Sequence, residues 1–284
     1  MTPLPRLAEG ARRQAGWSRV VTLGIEARYA DVNGVHTYYE ASGVGEPVVL
    51  LHGGFGGTHL FGALVPAFAE HYRVFVVEQR GRGRTADVDG PISYQVLADD
   101  VAGFIDQVIE EPSHLVGFSD GGVVGLLVAM QRPDLLGRLV TVGANFHRDG
   151  LMGAELWTSG SPDDEDWAGP RQRYAEVSPD GPEHFPIVFG KLQRMWREEP
   201  TLGEEDVAAI PIPVLVVAGD DDVIRHQHTV ALYEALPHGQ LAVIPGASHA
   251  VFMEKPSLLT RIVLDFLAEE GRPQTILPVR RSNR

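Results

Sequence analysis

A single serine stands between glycines in the stretch HLVGFSDGGVVGLLVAM, residues 114–130, where one apolar run ends and another begins. Residues 117–121 fit the pattern G-x-S-x-G, with a strand-like run before it and a helix-like run after it, as the motif requires. The glycines would allow a sharp turn that exposes the hydroxyl of Ser119 in a strained backbone conformation. We interpret Ser119 as a nucleophile. The alternative is a glycine-rich turn that contains an incidental serine.

A serine hydroxyl is a weak nucleophile unless a base accepts its proton and an acid orients that base. His249 follows the apolar run QLAVIPG and is the candidate base, because it has this strand context. Asp220, Asp221 and Asp222 follow the run PVLVVAG and are candidate acids. The chain has eleven histidines, and we interpret six others as ordinary surface or core residues: His36, His71, His114, His147, His184 and His238.

His226 and His228 form an H-x-H pair close to these aspartates, which raises the alternative of a metal site. Metal ligands on one helix face prefer a spacing of three or four residues, so the pair fits poorly. The acidic stretch SPDDEDW is typical of a solvated loop. We predict that the protein uses no metal and needs no cofactor.

Acyl transfer develops a negative oxygen that two backbone N–H groups can stabilise. The stretch LLHGGFGG can present such amides, and we assign one donor to Gly54, with Phe55 as the alternative. The other donor is the amide of Asp120, directly after the serine. Phosphate binding by this glycine-rich loop is the competing interpretation, but neither a GKS/T element nor a complete G-x-G-x-x-G follows it.

The elements that must position these residues are short apolar runs that alternate with amphipathic stretches. The sequence Tyr-Ala-Asp-Val-Asn-Gly at 29–34 and the alternating residues up to 42 predict a hairpin. Strands are predicted at 47–53, 72–78, 114–118, 138–144, 213–219 and 240–246. Continuous apolar runs of this length are typical of a parallel sheet with both faces buried. Ser93 and Ser257 are the candidate N-caps of two helices.

This alternation predicts an α/β fold with a mostly parallel, doubly wound sheet. The pattern breaks between about residues 146 and 210, which we interpret as an inserted helical cap. We therefore divide the chain into a tail at 1–20, a core at 21–145 and 211–270, the cap at 146–210 and a second tail at 271–284.

Composition excludes several classes of function. The 284 residues carry 24 basic and 38 acidic side chains, a net charge of −14, which disfavours nucleic acid and anionic membranes as partners. The absence of cysteine excludes a cysteine nucleophile and thiolate metal sites. The first residues lack the apolar core of a secretory signal, and no apolar run is long enough to span a membrane. We expect a cytoplasmic protein that acts on a small-molecule acyl or ester substrate and can form a homodimer.

With these elements in place, the chain resembles the α/β-hydrolase superfamily over nearly its whole length. The resemblance rests on LLHGGFGG, on EQRGRGRT in place of the usual D-x-R-G-x-G-x-S, on GFSDGG, and on the Gly219-x-x-Asp222 and Gly246-x-x-His249 steps. It implies an α/β-hydrolase fold with a cap and a triad in the order Ser119, Asp222, His249. Within that family the acid stands three residues after the strand-end glycine, which favours Asp222 and leaves Asp220 as the reserve.

The serine separates this chain from similar epoxide hydrolases and haloalkane dehalogenases, which carry aspartate as the nucleophile. The stretch from residue 117 to residue 147 resembles the biphenyl-hydrolase-like, or valacyclovirase-type, serine hydrolases, which hydrolyse amino-acid esters. The resemblance implies a carboxylic-ester hydrolase that works through an acyl-enzyme. Hydrolysis of a C–C bond or a lactone, acyl transfer, and a ligand-sensing protein on the same scaffold remain alternatives.

The carboxylate of Asp120 has two interpretations. It can stabilise the start of the helix by interacting with the helix dipole, or it can bind a substrate ammonium group near the scissile carbonyl. The remaining candidate substrate-binding residues are aromatic: Phe55 in the glycine-rich loop, and Trp157 and Trp196 in the cap, which would cover an apolar pocket.

Overall fold

The computed structural model describes residues 24–271 and 275–277. The expected amino-terminal tail lies outside the described residues, as does most of the carboxy-terminal one. Within the described part, the strands are β1 (Glu26–Val32), β2 (Val35–Ser42), β3 (Pro47–Leu51), β4 (Arg73–Val77), β5 (Ser113–Phe118), β6 (Leu136–Val142), β7 (Val214–Asp221) and β8 (Gly239–Ser248).

These strands form one sheet in the order β1-β2-β4-β3-β5-β6-β7-β8. Strands β1 and β2 pair antiparallel, as do β2 and β4, and the remaining pairs are parallel. Asn33 and Gly34 join β1 to β2 with positive φ angles of 51° and 78°, the geometry that the Asn-Gly pair predicts for a two-residue hairpin turn. Because six strands run parallel from β4 to β8, their carboxyl ends lie along one edge of the sheet.

Helices lie on both faces of the sheet. They are α1 (Val65–Phe68), α2 (Tyr94–Phe104), α3 (Asp120–Gln131), α4 (Ala154–Ser159), α5 (Ala168–Val177), α6 (Phe185–Glu198), α7 (Glu204–Ala208), α8 (His226–Ala235), α9 (Val251–Glu254) and α10 (Pro256–Leu267). A π-helical segment, Ile105–Ile109, extends α2, and short 3₁₀ turns occur at Thr58–Phe61, Pro133–Leu135, Arg148–Gly150, Glu165–Trp167 and Pro182–His184.

Alternation along the central strands divides the core into two clusters. In β3, Val49 and Leu51 pack on the side of α2, α3 and α8, while Val48 and Leu50 pack on the side of α1 and α10. All four side chains are fully buried. Burial on both faces explains the continuous apolar run in the sequence, and the predicted fold class is confirmed.

The two predicted helix caps have different outcomes. Ser93 precedes α2, and its hydroxyl accepts a hydrogen bond from the Val96 N–H at 3.2 Å, as predicted. The prediction for Ser257 is wrong, because α10 begins one residue earlier, at Pro256, and Lys255 takes the capping position. Proline favours the first helical position because its fixed φ fits the helix and its missing N–H has no helical partner to lose.

Between β6 and β7 the chain leaves the sheet and forms α4, α5, α6 and α7. Helix α6 has a buried apolar side that includes Val188, Leu192 and Met195, which joins the larger core cluster. We call residues 146–210 the cap, with the boundaries that the sequence suggests. Its helices lie over the carboxyl edge of the sheet and enclose a cavity there.

Candidate active site

The turn between β5 and α3 holds Ser119 in a conformation that side chains rarely adopt, with φ 51° and ψ −118°. Close packing of the surrounding backbone holds Ser119 in this strained conformation. A Cβ atom on Gly121 would lie 2.2 Å from the Leu51 carbonyl oxygen, and one on Gly117 would lie 2.2 Å from the Gly121 oxygen. The glycines therefore let strand and helix approach closely, and the turn carries Ser119 at the carboxyl edge of the sheet.

The ends of β7 and β8 bring an acid and a base to the same edge. These strands are neighbours, and Asp221 pairs with Ser248 at their ends. Asp222 and His249 each follow directly, so the register of the two strands places their side chains together. The Nδ1–H of His249 donates to Asp222 Oδ1 at 2.8 Å, and His249 Nε2 lies 3.1 Å from Ser119 Oγ.

Asp222 is the aspartate of the three that contacts the imidazole. Its side chain is buried, and its Oδ1 also accepts the Ile224 N–H at 3.0 Å. Burial raises the pKa of this carboxyl, but the hydrogen bond and charge of His249 and the backbone amides outweigh that effect, so the pKa is lowered overall. Asp220 is exposed and accepts the Ala247 N–H instead, so the reserve candidate lies away from His249.

Gly143, directly after β6, is a site residue that the sequence interpretation missed. It has a positive φ of 63°, and a Cβ atom there would lie 2.9 Å from His249 Nδ1 and 3.3 Å from Asp222 Oδ2. A side chain at this position would therefore push the imidazole away from the carboxylate. The sequence signal was a glycine after a buried strand, next to the predicted edge of the sheet.

The residues that carry the candidate amide donors lie at the cavity. Gly54, Phe55 and Asp120 all line it, and within the described residues their backbone N–H groups donate no hydrogen bond. An N–H group that lacks an internal partner is available to a ligand oxygen. The geometry leaves the choice between Gly54 and Phe55 open.

His52 fixes the loop that carries these amides. It is fully buried, its Nδ1–H donates to the Gly53 carbonyl at 2.8 Å, and its Nε2 accepts the Gln79 N–H at 3.1 Å. Burial, with a smaller contribution from the nearby Arg82 charge, lowers the pKa of His52 to about 3. The ring is therefore neutral, with one tautomer fixed by its two partners.

A cavity of about 460 Å³ opens beside Ser119, between the sheet edge and the cap. Its walls are largely apolar and aromatic, and include Phe55, Phe118, Trp157, Trp167, Trp196 and Met253. The ring of Phe55 contacts those of Trp167, Phe189 and Trp196, with ring centroids 5.6–6.0 Å apart. The three aromatic residues selected from the sequence, Phe55, Trp157 and Trp196, all lie on the wall of the cavity.

The Asp120 carboxylate is buried and takes part in a polar network beside the cavity. Tyr94 Oη–H donates to its Oδ1 at 2.7 Å, and Trp196 Nε1 lies 3.1 Å from each oxygen. Burial raises the pKa of Asp120 overall, although the Tyr94 hydrogen bond, the Arg82 charge and the Trp196 hydrogen bond act in the opposite direction. These partners leave little capacity for a substrate ammonium group, so the structure favours a structural role for this carboxylate.

Sequence reasoning missed Tyr94 and Arg82. Both lie far from Ser119 along the chain, and only the packing of α2 and the β4–α2 loop against α3 brings them to Asp120. Arg82 lies between Gly81 and Gly83 in EQRGRGRT, and nothing in this stretch of sequence indicates that its side chain is buried. Its side chain is 1% exposed.

The H-x-H pair has other contacts. His228 Nε2 accepts the Phe146 N–H at 3.1 Å and its ring stacks on Phe146, with 4.0 Å between centroids. Burial lowers the pKa of His228 to about 4. The His226 Nε2–H donates to the Gly219 carbonyl at 3.1 Å. In residues 24–271 and 275–277, no group of three or more candidate ligand side chains is arranged to hold a metal ion.

Comparison with known proteins adds family information to this geometry. Residues 48–261 match the sequence model described as the alpha/beta hydrolase family. A protein of Agrobacterium fabrum named as a carbamate hydrolase, RutD, is 29% identical over 244 residues, which cover 78% of this chain and 93% of that protein. The 2-hydroxy-6-oxo-6-(2'-aminophenyl)hexa-2,4-dienoic acid hydrolase of Metapseudomonas resinovorans is 27% identical over 270 residues, covering 86% and 91%.

Solved structures show the same fold. The meta-cleavage product hydrolase of Pseudomonas fluorescens IP01 superposes with a TM-score of 0.73 at 23% identity, covering 84% of this chain and 97% of that one. The enol-lactonase of Burkholderia xenovorans LB400 gives 0.70 at 23% identity, covering 85% and 100%. As for membranes, the described part of the chain contains no helix with the length and apolar character that crossing a bilayer requires.

Proposed function

Because the chain belongs to the α/β-hydrolase family and is a hydrolase, we propose that it cleaves a carboxylic ester through an acyl-enzyme formed on Ser119. The observation that carries this proposal is the hydrogen-bonded series from Ser119 through His249 to Asp222, beside an apolar cavity. Serine, imidazole and carboxylate in this order are the groups that nucleophilic acyl transfer requires.

In the first half of the reaction, the ester carbonyl carbon lies above Ser119 Oγ. His249 Nε2 accepts the hydroxyl proton while Oγ bonds to the carbonyl carbon, and the carbonyl oxygen takes up the negative charge. The amides of Asp120 and of Gly54 or Phe55 donate to that oxygen. The bond to the alcohol oxygen then breaks, and His249 gives the proton to the departing alcohol, leaving an ester on Ser119.

In the second half, water attacks the acyl-enzyme. His249 accepts a proton from the water as its oxygen bonds to the acyl carbon, and the same two amides stabilise the oxyanion. The bond to Ser119 Oγ breaks, Oγ regains the proton from His249, and the carboxylic acid leaves. Asp222 holds the imidazole in the tautomer that presents Nε2 to Ser119 and stabilises its positive charge.

The cavity indicates the size and polarity of the substrate. Aromatic side chains form much of the cavity wall, which suits a small apolar acyl or alcohol group. The names of the relatives add two substrate classes to test, a carbamate and a dienoic acid whose cleavage breaks a C–C bond. Carbamates share the acyl carbon chemistry of esters, so the same groups would serve.

The test of the mechanism is labelling with a fluorophosphonate, which forms a bond with an activated serine. We expect wild-type protein to be labelled on Ser119 and to turn over p-nitrophenyl acetate, and Ser119→Ala to lose both. Thermal unfolding of the variant checks that it is folded. A wild-type protein that is neither labelled nor active, although folded, would contradict the proposal and favour a ligand-sensing role.

The substrate class requires a panel assayed with the wild-type protein. Short-chain esters, amino-acid esters, a lactone, a carbamate and a vinylogous diketone acid cover ester, carbamate and C–C cleavage. We expect the highest kcat/KM for small apolar esters. A kcat/KM at least about 10-fold higher for the carbamate or the C–C substrate, which is more than about 1.4 kcal/mol of transition-state stabilisation, would replace the ester assignment.

A further inference from the structure

The hydrogen bonds to Asp120 connect three separate parts of the molecule. Tyr94 is the first residue of α2, Trp196 lies near the end of α6 in the cap, and Asp120 begins α3 directly after Ser119. The backbone amide of Asp120 is one of the two donors assigned to the oxyanion. Its carboxylate is therefore the side chain through which neighbouring elements can fix the position of that amide.

Trp196 contacts both halves of the proposed oxyanion site. Its indole N–H donates to the Asp120 carboxylate, and a Cβ atom on Gly54 would lie 3.3 Å from Trp196 Cζ2. The indole therefore packs on the glycine loop while it hydrogen-bonds to the residue after the nucleophile. No other side chain in the described residues is shown to make both contacts.

The end of α6 is also joined to the start of α2. Glu199 Oε2 accepts the backbone N–H of Tyr94 at 2.9 Å, and the hydroxyl of the same tyrosine donates to Asp120. Two routes thus run from the cap helix to Asp120, one direct through Trp196 and one through Tyr94. Both sets of contacts restrict the movement of the Asp120 carboxylate relative to the cap.

Arg82 provides the opposite charge for this buried carboxylate. All three guanidinium nitrogens are buried and have no hydrogen-bond partner within the described residues. Asp120 makes the largest favourable contribution to the charge of Arg82, and burial lowers the pKa of Arg82 only to about 10, so it stays a cation. A cation sealed beside Asp120 stabilises the charged carboxylate, which accepts hydrogen bonds from Trp196 and Tyr94 without donating.

We propose that Trp196 and Tyr94 are positioning residues, which hold the oxyanion amide of Asp120 in place by hydrogen-bonding to its carboxylate. This inference rests on the proposed function, because it assigns the Asp120 amide to the oxyanion. It extends that function by giving a helix of the cap a role in the chemical step, in addition to covering the substrate. Loss of either donor then lowers kcat, because the transition state depends on the position of the amide more strongly than the bound ester does.

The chain offers a matched control in Trp167. Its ring lies parallel to that of Trp196, with 6.1 Å between centroids, and both line the cavity. The indole nitrogen of Trp167 is buried and has no hydrogen-bond partner in the described part of the chain. Trp196→Phe and Trp167→Phe therefore remove the same atoms from the same cavity, but only the first removes a hydrogen bond to Asp120.

The experiment compares kcat and KM of these two variants for one small ester, together with their rates of fluorophosphonate labelling. We expect kcat of Trp196→Phe to be about 10-fold below that of Trp167→Phe, as a small misplacement of a catalytic group can cause. KM should change to a similar extent in both variants. Equal kcat values and equal labelling rates in two folded variants would overturn the inference.

Tyr94→Phe provides an independent route if Trp196→Phe does not fold. It removes the other donor to Asp120 without changing the ring, so we expect a reduced kcat with little change in KM, and an unchanged kcat would also overturn the inference. Failure of the proposed function is a distinct result, because wild-type protein itself would then show neither labelling nor turnover.

Discussion

Backbone contacts fix the floor of the cavity, whereas side-chain contacts hold its roof. We use floor for the strand-end residues around Ser119, Asp222 and His249, and roof for the cap helices with their aromatic side chains. In the floor, positions such as Gly121 and Gly143 leave no room for a Cβ atom. In the roof, aromatic rings pack in several orientations and a few polar groups connect α6 to the core.

This difference indicates how the two tasks of the enzyme are separated. Reactive groups need fixed distances, and a close-packed backbone provides them because it cannot adjust without breaking many contacts. A substrate pocket needs a particular shape and size, which side chains on inserted helices can change at low cost to the fold. Changes in the floor should therefore affect catalysis most, and changes in the roof should affect binding and stability, apart from Trp196, whose hydrogen bond reaches Asp120 in the floor.

The largest effect is expected from Gly143→Ala in the floor. The added methyl group would meet the His249 ring and would separate it from Asp222, so we expect kcat to fall by about 100-fold, or about 3 kcal/mol. The measurement is kcat for p-nitrophenyl acetate in protein whose folding is checked by thermal unfolding.

Gly153→Ala is the matched control for this change. Gly153 has almost the same φ angle, 60° against 63° at Gly143, but a Cβ atom there would meet nothing within 4 Å. In each variant the positive φ angle alone should cost about 1 kcal/mol of stability, and Gly143→Ala adds the contact with His249. If both also lost the same fraction of kcat, steric displacement of His249 would not be the cause.

The same division explains what the sequence could reveal. The sequence allowed the three candidate catalytic residues, Ser119, His249 and Asp222, to be identified because each directly follows a strand with a recognisable apolar pattern. The carboxyl ends of parallel strands lie at one edge of the sheet, so these residues were expected to lie close together. The structure places their side chains within hydrogen-bond distance, while their catalytic roles stay predictions. The sheet was predictable for the same reason, since burial on both faces leaves a continuous apolar run.

The contacts to Asp120 were not predictable, because they depend on how α2 and α6 pack rather than on any local pattern. Trp196 was selected as a cavity residue, but nothing in its neighbourhood along the chain indicates a hydrogen bond to residue 120. The error at Ser257 is of a smaller kind. Pro256 and Ser257 are adjacent and both favour the start of a helix, and the proline is the first residue of α10.

The connection between roof and core can be tested with Lys191→Met in α6. Lys191 Nζ donates to both carboxylate oxygens of Asp87, at 2.7 and 2.9 Å, and to the Val88 carbonyl. Its loss leaves the buried Asp87 carboxylate with His184 as its remaining side-chain partner. We expect about 2 kcal/mol of lost stability by urea unfolding, and a raised KM.

Arg194→Met on the same helix is the control for Lys191→Met. Its ion pair with Glu198 is exposed and joins residues within α6 only, so the loss should stay below about 0.5 kcal/mol. Equal losses in the two variants would show that Asp87 does not hold the cap to the core.

In the floor we expect a pH-dependent loss of stability, similar in size to the loss expected for Lys191→Met or slightly smaller. The pKa of His52 is about 3 in the folded protein and about 6.5 in the unfolded chain, so the unfolded chain binds the extra proton as pH falls. The contribution of neutral His52 is complete above the unfolded value and is lost as pH falls below it. Acidification from about pH 7 to about pH 5 should remove about 2 kcal/mol of stability through this group.

Urea unfolding at both pH values measures this loss, and His52→Gln tests its origin. The glutamine side-chain oxygen can accept a hydrogen bond from the Gln79 N–H but has no proton to gain in this range. The variant should be less stable at neutral pH, with a pH dependence weaker by about 2 kcal/mol. An unchanged pH dependence would assign the loss to other groups.

The smallest effect is expected for substrate selectivity in Asp120→Asn, at the contact between floor and roof. If this carboxylate bound a substrate ammonium group, its neutralisation would lower kcat/KM for amino-acid esters far more than for neutral esters. In the structure, however, both oxygens already accept hydrogen bonds and Arg82 supplies the positive charge. We therefore expect kcat to fall for both ester types by the same factor. The side chain of asparagine has one oxygen that accepts hydrogen bonds and an NH₂ group that only donates, so it cannot replace both carboxylate oxygens as acceptors for Tyr94 and Trp196.

The measurement is the ratio of kcat/KM values for an amino-acid ester and its des-amino analogue. A ratio that falls by about 10-fold or more, equivalent to about 1.4 kcal/mol, would show that the carboxylate binds the ammonium group of the substrate despite its buried partners.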